Sequence, residues 1–382
     1  MIYLDSASTA LQHPPEVAQA VAAALNSFGS PGRGAHQASL DADRAVFAAR
    51  TQVARLFGAS SPKQVAFAGS ATDALNMAIA GLLGPGDHAI TTAASHNSVL
   101  RPLYRQQEDG VEISILPVQP SGAIDFESFE ALFRPNTRLA VLTHASNLTG
   151  DVYDIARLAA ICHAHNTLIV VDAAQTAGVI PIDMGAMDLD VVVFTGHKGL
   201  LGPQGTGGLC LKEGVTIRPL RVGGSGSQSF ERKHPAWMPE RLEAGTLNSH
   251  GLAGLSAGLD YLLSQGVETL AARTKGLTNR FESQLRGIDG VRVYGGQGGV
   301  DRCGIVAINI GGLGSSAVAD RLSTSYGICV RAGAHCAPLM HKALGTVTQG
   351  AVRFSFSPFN TAEELDTAIR ALGEIAEEGQ TA

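Results

Sequence analysis

The sequence predicts an α/β fold in which a mostly parallel sheet is covered by helices on both faces and followed by a smaller α+β unit. Three observations lead there. Short β-branched runs alternate with helical patterns through the first two thirds of the chain; a Gly- and Ser-rich segment then interrupts them; and the last ~110 residues start a new set of strands.

In chain order, the first run is Val65-Ala66-Phe67-Ala68, which leads into Gly69-Ser70-Ala71-Thr72. Leu139 to Leu142 precedes His144-Ala145-Ser146-Asn147, and Leu168 to Val171 precedes Asp172-Ala173-Ala174-Gln175. Val191 to Phe194 precedes Thr195-Gly196-His197-Lys198. Ligands of such sheets sit beyond the carboxyl ends of the strands, so these four polar followers are the first place to look for chemistry. The segment from Gly223 to about Pro239 reads as a lid, and a helical stretch from Gly251 to Leu263 reads as a connector. Strands resume at Val291–Val293, Ile305–Ile308 and Val352–Ser355. The glycine clusters Gly295–Gly299 and Gly311–Gly314 read as mobile loops, and neither sits in a strand, GxGxxG and helix register that would bind a dinucleotide.

A chain of 382 residues suits two or three domains with a sizeable core, and 45% apolar against 16% charged residues excludes disorder. The net charge of −6, with no long basic run, argues against nucleic acid as a ligand. No apolar run approaches the ~20 residues of a membrane helix, and the N-terminus lacks a basic region followed by an apolar one, so no membrane association and a cytoplasmic location are expected. Five scattered cysteines fit reduced thiols better than a disulfide framework.

Asp172 closes an apolar run, where an unpaired carboxylate is costly to bury. It needs a cation, and a protonated pyridine nitrogen is one; Lys198, ending the next run, brings an amine to the same sheet edge. The run Val170 to Gln175, then Thr195-Gly196-His197-Lys198-Gly199 and Gly202-Pro203-Gln204-Gly205-Thr206-Gly207, resembles the class-V aminotransferase group of fold-type-I pyridoxal-phosphate enzymes, in particular its cysteine desulfurase and selenocysteine lyase branch. The resemblance extends from Leu4-Asp5 to Arg353 and Asn360-Thr361. It implies a large, dimer-forming cofactor domain (13–262) with a mostly parallel seven-stranded sheet, and a small α+β domain (1–12 and 263–382) carrying a loop with Cys336.

The resemblance also implies roles. Lys198 holds pyridoxal phosphate as a Schiff base, Asp172 pairs with the pyridine nitrogen, Gln175 hydrogen-bonds the phenolic oxygen and His96 stacks on the ring. Ala71 and Thr72, opening a helix after glycine and hydroxyl residues, would receive the phosphate together with Thr195 and His197, as a helix N-terminus favours anions. Thr246 would reach the phosphate from the second subunit of a homodimer. Arg353 would clamp the substrate carboxylate, helped by Asn147.

Cys336, in Arg331-Ala332-Gly333-Ala334-His335-Cys336-Ala337-Pro338, is the expected nucleophile, with His335 and Arg331 as cations that favour its thiolate. The His335, Cys336 and His341 spacing lacks a further cysteine or carboxylate cluster, so no metal is expected. The implied reaction converts L-cysteine to L-alanine and leaves a persulfide on Cys336 for a sulfur-acceptor protein. Ala334 departs from what compact-loop desulfurases carry at this position, which keeps L-selenocysteine lyase or another β-lyase activity open. A scaffold without cofactor is the remaining alternative, opposed by the intact Lys198, Asp172 and Gln175 set.

Overall fold

The computed structural model describes residues 1–32, 34–119, 121–296 and 300–381, apart from the side chains of residues 380 and 381. Seven strands form the main sheet: β2 (Val65–Ala68), β3 (His88–Thr92), β4 (Glu112–Leu116), β5 (Thr137–Thr143), β6 (Leu168–Asp172), β7 (Val191–Thr195) and β8 (Gly207–Leu211), with β1 (Ile2–Tyr3) outside it. Their order is β2-β8-β7-β6-β5-β3-β4, and only the two pairings made by β8 are antiparallel. The carboxyl ends of β2, β3, β5, β6 and β7 therefore share one edge.

The alternation that defines a strand splits this sheet between two cores. Ile169, Val171, Val192 and Phe194 pack on one face with Val53, Phe57, Leu255 and Leu259. Val170, Val191 and Val193 pack on the other with Leu75, Ile79 and Val99. Full burial of each such side chain is worth roughly 1.5–3 kcal/mol. The expected runs are all strands here, and the connector is the helix Ser249–Gln265, capped by Asn248, which accepts from the Gly251 N–H at 3.0 Å.

Three strands not picked out from the sequence complete the sheet. β3 carries His88, fully buried and bonded to Thr137 and Ser114, in place of an aliphatic run. β4 is a partly exposed edge. β8 begins with two glycines because backbone crosses there: a Cβ on Gly208 would lie 2.3 Å from the Ala66 oxygen.

The second sheet, in the order β12-β13-β10-β9, is antiparallel and comprises β9 (Val291–Tyr294), β10 (Ile305–Ile310), β12 (Arg331–Gly333) and β13 (Ala351–Ser355); β11 (Ile328–Cys329) pairs instead with β1. Its core joins Phe281, Val306, Phe354 and Leu372 to Leu4 from the start of the chain.

Two loop expectations are corrected. The segment from Gly223 to Pro239 contains no helix or strand, but it lines a surface hollow with Gly32, Gly34 and Ala35 instead of covering the strand ends of its own chain. Gly311–Gly314 is pinned rather than loose, since Gln349 Nε2 donates to the oxygens of Gly311 and Leu313 at 3.0 and 2.7 Å. Residues 297–299 of the other glycine cluster lie outside the described residues.

Candidate active site

At the shared edge lies a cavity with about 510 Å³ of empty volume, lined by Ser70, Ala71, Thr72, Leu75, His96, Ser98, Thr143, Asn147, Asp172, Ala174, Gln175, Thr195, His197 and Lys198. Each lining segment ends or follows a strand, so the shared strand edge brings nine residues predicted for the site into the cavity: Ala71, Thr72, His96, Asn147, Asp172, Gln175, Thr195, His197 and Lys198; a tenth, Arg353, comes from β13 of the second sheet and meets them through Asn147.

Asp172 is buried at the end of β6, and burial pushes its carboxyl above the usual range even though it accepts from the Ala174 N–H at 3.0 Å. Desolvation, reinforced by the Arg353 guanidinium, pulls the Lys198 ammonium down to about 8. Burial and the nearby Lys198 charge hold both His96 and His197 at about 4, so both rings are neutral at neutral pH. His96 caps the helix Asn97–Glu108: its Nδ1 accepts from the Ser98 N–H at 3.0 Å, and Ser98 Oγ links on to Thr72 Oγ1 at 2.7 Å. Ser70 caps the helix Ala71–Leu82 by accepting from the Asp73 N–H, which leaves the first-turn N–H groups at Ala71 and Thr72 beside the cavity.

Arg353 is 1% exposed, which rules out a surface ion pair. Its Nη1 donates to the Asn147 oxygen at 2.9 Å, and its Nη2 donates to Asp5 Oδ1 at 3.0 Å and Ser8 Oγ at 2.7 Å.

The Cys336 turn comes from the second sheet. His335 and Cys336 both have left-handed backbones, at φ 49° and 55°, each costing about 1–2 kcal/mol for a residue with a Cβ. Two hydrogen bonds hold them there: Asn147 Nδ2 to the His335 oxygen at 2.7 Å, and the Asn97 N–H to the Cys336 oxygen at 2.8 Å. Cys336 is exposed, whereas burial pushes the thiols of Cys162, Cys210 and Cys303 up to about 12. Burial also holds His335 at about 3, so it is neutral and is not the cation beside the thiol that its position suggested.

Thr246 is exposed and lines a different cleft, with Phe47, Lys63 and Glu243, and so does not reach the cavity of its own chain. The sequence reading missed the segment Asp5–Thr9. There the Ala7 oxygen accepts from Gln175 Nε2 at 3.2 Å, Thr9 Oγ1 meets His197 Nδ1 at 3.0 Å, and Asp5 and Ser8 hold Arg353. Its only signal was a run of small polar residues after Leu4.

Residues 2–367 match the family described as aminotransferase class-V. The chain belongs to that family. Among relatives of this class-V chain, a probable cysteine desulfurase of Methanothermobacter thermautotrophicus is 34% identical, over 98% of this chain and 94% of that one. The apo structure of a cysteine desulfurase from Thermococcus onnurineus NA1 superposes with a TM-score of 0.91 at 30% identity, covering 99% of this chain and 95% of that one. The cysteine desulfurase CsdA (S-sulfonic acid) from Escherichia coli gives 0.88 at 31% identity, covering 98% and 94%.

The class-V family implies pyridoxal phosphate, and the cavity fits it. Thr195 Oγ1 and Asn147 Oδ1 are buried without a hydrogen-bond partner among the described residues, and Asp172 is a buried carboxylate with its pKa raised by desolvation. A ligand with a phosphate and a protonated ring nitrogen would satisfy that donor and that anion. Lys198, Asp172, Gln175, His96, Thr195 and His197 are the residues that would hold it.

Proposed function

We propose that this protein is a pyridoxal-phosphate-dependent cysteine desulfurase that converts L-cysteine to L-alanine and keeps the sulfur on Cys336. The observation that carries this reading is the attachment of the exposed thiol turn, through Asn97 and Asn147, to the segments that present His96 and support Arg353. A plain aminotransferase needs no such thiol.

When bound, pyridoxal phosphate supplies an electron sink for bonds at the substrate's Cα and Cβ. Arg353, supported by Asn147, anchors the substrate carboxylate. The Lys198 amine, with its pKa drawn toward neutrality, is suited to take the Cα proton and return it. Asp172 would keep the ring nitrogen protonated, and His96, neutral, would lie against the ring without adding a charge. Cys336 Sγ attacks the substrate sulfur: the S–S bond forms as the Cβ–S bond breaks, the electron pair stays with carbon, and protonation there gives the methyl group of L-alanine. The persulfide is left on an exposed residue, within reach of an acceptor protein.

Thr246 completes this reading as a donor to the phosphate of a second copy, which makes the working form a homodimer in a reducing, cytoplasmic setting. Alanine release from L-cysteine and from L-selenocysteine, with and without thiol reductant, tests the assignment in wild type and Cys336→Ala. Loss of the cysteine reaction alone in the variant supports it; alanine from selenocysteine only, in the wild type, replaces it with a lyase.

A further inference from the structure

We propose that Asp5 is an internal stand-in for the substrate carboxylate, seated on Arg353 until an amino acid displaces it. The inference rests on the functional reading above and deepens it at one contact.

A guanidinium has five N–H donors, and a carboxylate can be gripped at two points along either of two edges, Nη1 with Nη2 or Nε with Nη2. Both edges use a hydrogen of Nη2. In this structure Nη2 already donates to two acceptors, Asp5 Oδ1 at 3.0 Å and Ser8 Oγ at 2.7 Å. One Nη1 hydrogen goes to the Asn147 backbone oxygen, and the Nε–H is buried with no partner among the described residues. A two-point grip on an incoming carboxylate thus competes for an Nη2 that Asp5 and Ser8 already occupy, and the idle Nε–H is placed to supply the second point once one of them leaves.

Asp5 is the partner that leaves. Ser8 Oγ also accepts from Arg331 Nη1 at 3.1 Å and donates to Asp5 Oδ1 at 2.7 Å, so its departure would unpair two guanidinium groups at once. Exchange of Asp5 for a substrate carboxylate instead conserves the charge on Arg353. The Asp5 side chain is 18% exposed against 2% for Arg353, so it can withdraw toward solvent while the arginine stays fixed. The consequence is selectivity: only a ligand that brings its own carboxylate compensates for the lost ion pair.

The test uses cofactor-loaded protein titrated with L-alanine and with ethylamine, its counterpart without a carboxylate, and reads the change in cofactor absorbance. In Asp5→Asn the ratio of the ethylamine Kd to the L-alanine Kd is expected to rise about tenfold, because the internal competitor for Arg353 is gone. Ser8→Ala, which removes one of the two Nη2 acceptors and keeps the carboxylate, is expected to raise the ratio by a smaller factor. An unchanged or lowered ratio in both variants makes Asp5 a permanent prop and overturns the proposal. A wild-type protein that takes up no pyridoxal phosphate overturns the functional reading itself, a result separable from a cofactor-loaded protein with an unchanged ratio.

Discussion

The floor of the site and its thiol rim are built by opposite means. The floor is set by strand ends between two apolar cores, where Asp172, Lys198 and His197 are desolvated and their protonation is displaced by burial. The rim is a turn from the second sheet, with an exposed thiol and two left-handed residues held by hydrogen bonds to their carbonyl oxygens. The contrast shows a division of labour. Groups whose protonation is tuned by the site are kept from water by a packed sheet, while a group that must meet both a substrate and a sulfur acceptor is kept on an accessible loop.

Removing the floor's amine tests that division most severely. Lys198→Ala is expected to lower alanine release by roughly 10³–10⁴-fold and to abolish the lysine-bound cofactor absorbance. At the rim, Cys336→Ser is expected to lower sulfur release by about 10³-fold while that absorbance survives. Retained desulfuration would show that the rim does not act as described.

Protonation separates the regions further. With a pKa of about 8, Lys198 is mostly charged at pH 7, so the rate at which cofactor-free protein captures pyridoxal phosphate should climb through pH 8 and level off above it. Stopped-flow absorbance would record this. Acid acts on stability instead. His96, His144 and His197 at about 4, and His335 at about 3, stay neutral in the fold while an unfolded chain protonates near 6.5. Unfolded chains therefore bind more protons in that window, and stability should fall as pH drops from about 6.5 toward 4. Thermal melts of wild type and His144→Gln would check it, the variant showing the shallower loss.

The smallest effect expected is that of Asn147→Ala. It leaves the His335 oxygen without its donor and should cost about 1–3 kcal/mol in denaturant unfolding, with faster modification of Cys336 by a thiol reagent as the turn loosens.

The floor was largely legible in the sequence because each of its groups follows an uninterrupted apolar run, and a period-2 run between two cores leaves little choice of structure. β3 and β8 were not, since a buried histidine satisfied by Thr137 and Ser114 and a pair of glycines under crossing backbone both look like loop until their neighbours are in place. The rim was half legible. Cys336 stood out by its setting, but the neutral state of His335 depends on burial that its chain neighbours do not reveal. Asp5 was hidden for a similar reason: its partner Arg353 lies 348 residues away.

That separation bears on synthesis. A chain released before residue 331 already contains Asp172, Gln175 and Lys198, yet has neither the thiol turn nor the arginine to which Asp5 and Ser8 attach. Translation emits the second partner of that ion pair 348 residues after the first. Prematurely terminated products would thus retain groups for capturing the cofactor while lacking any means of mobilising sulfur.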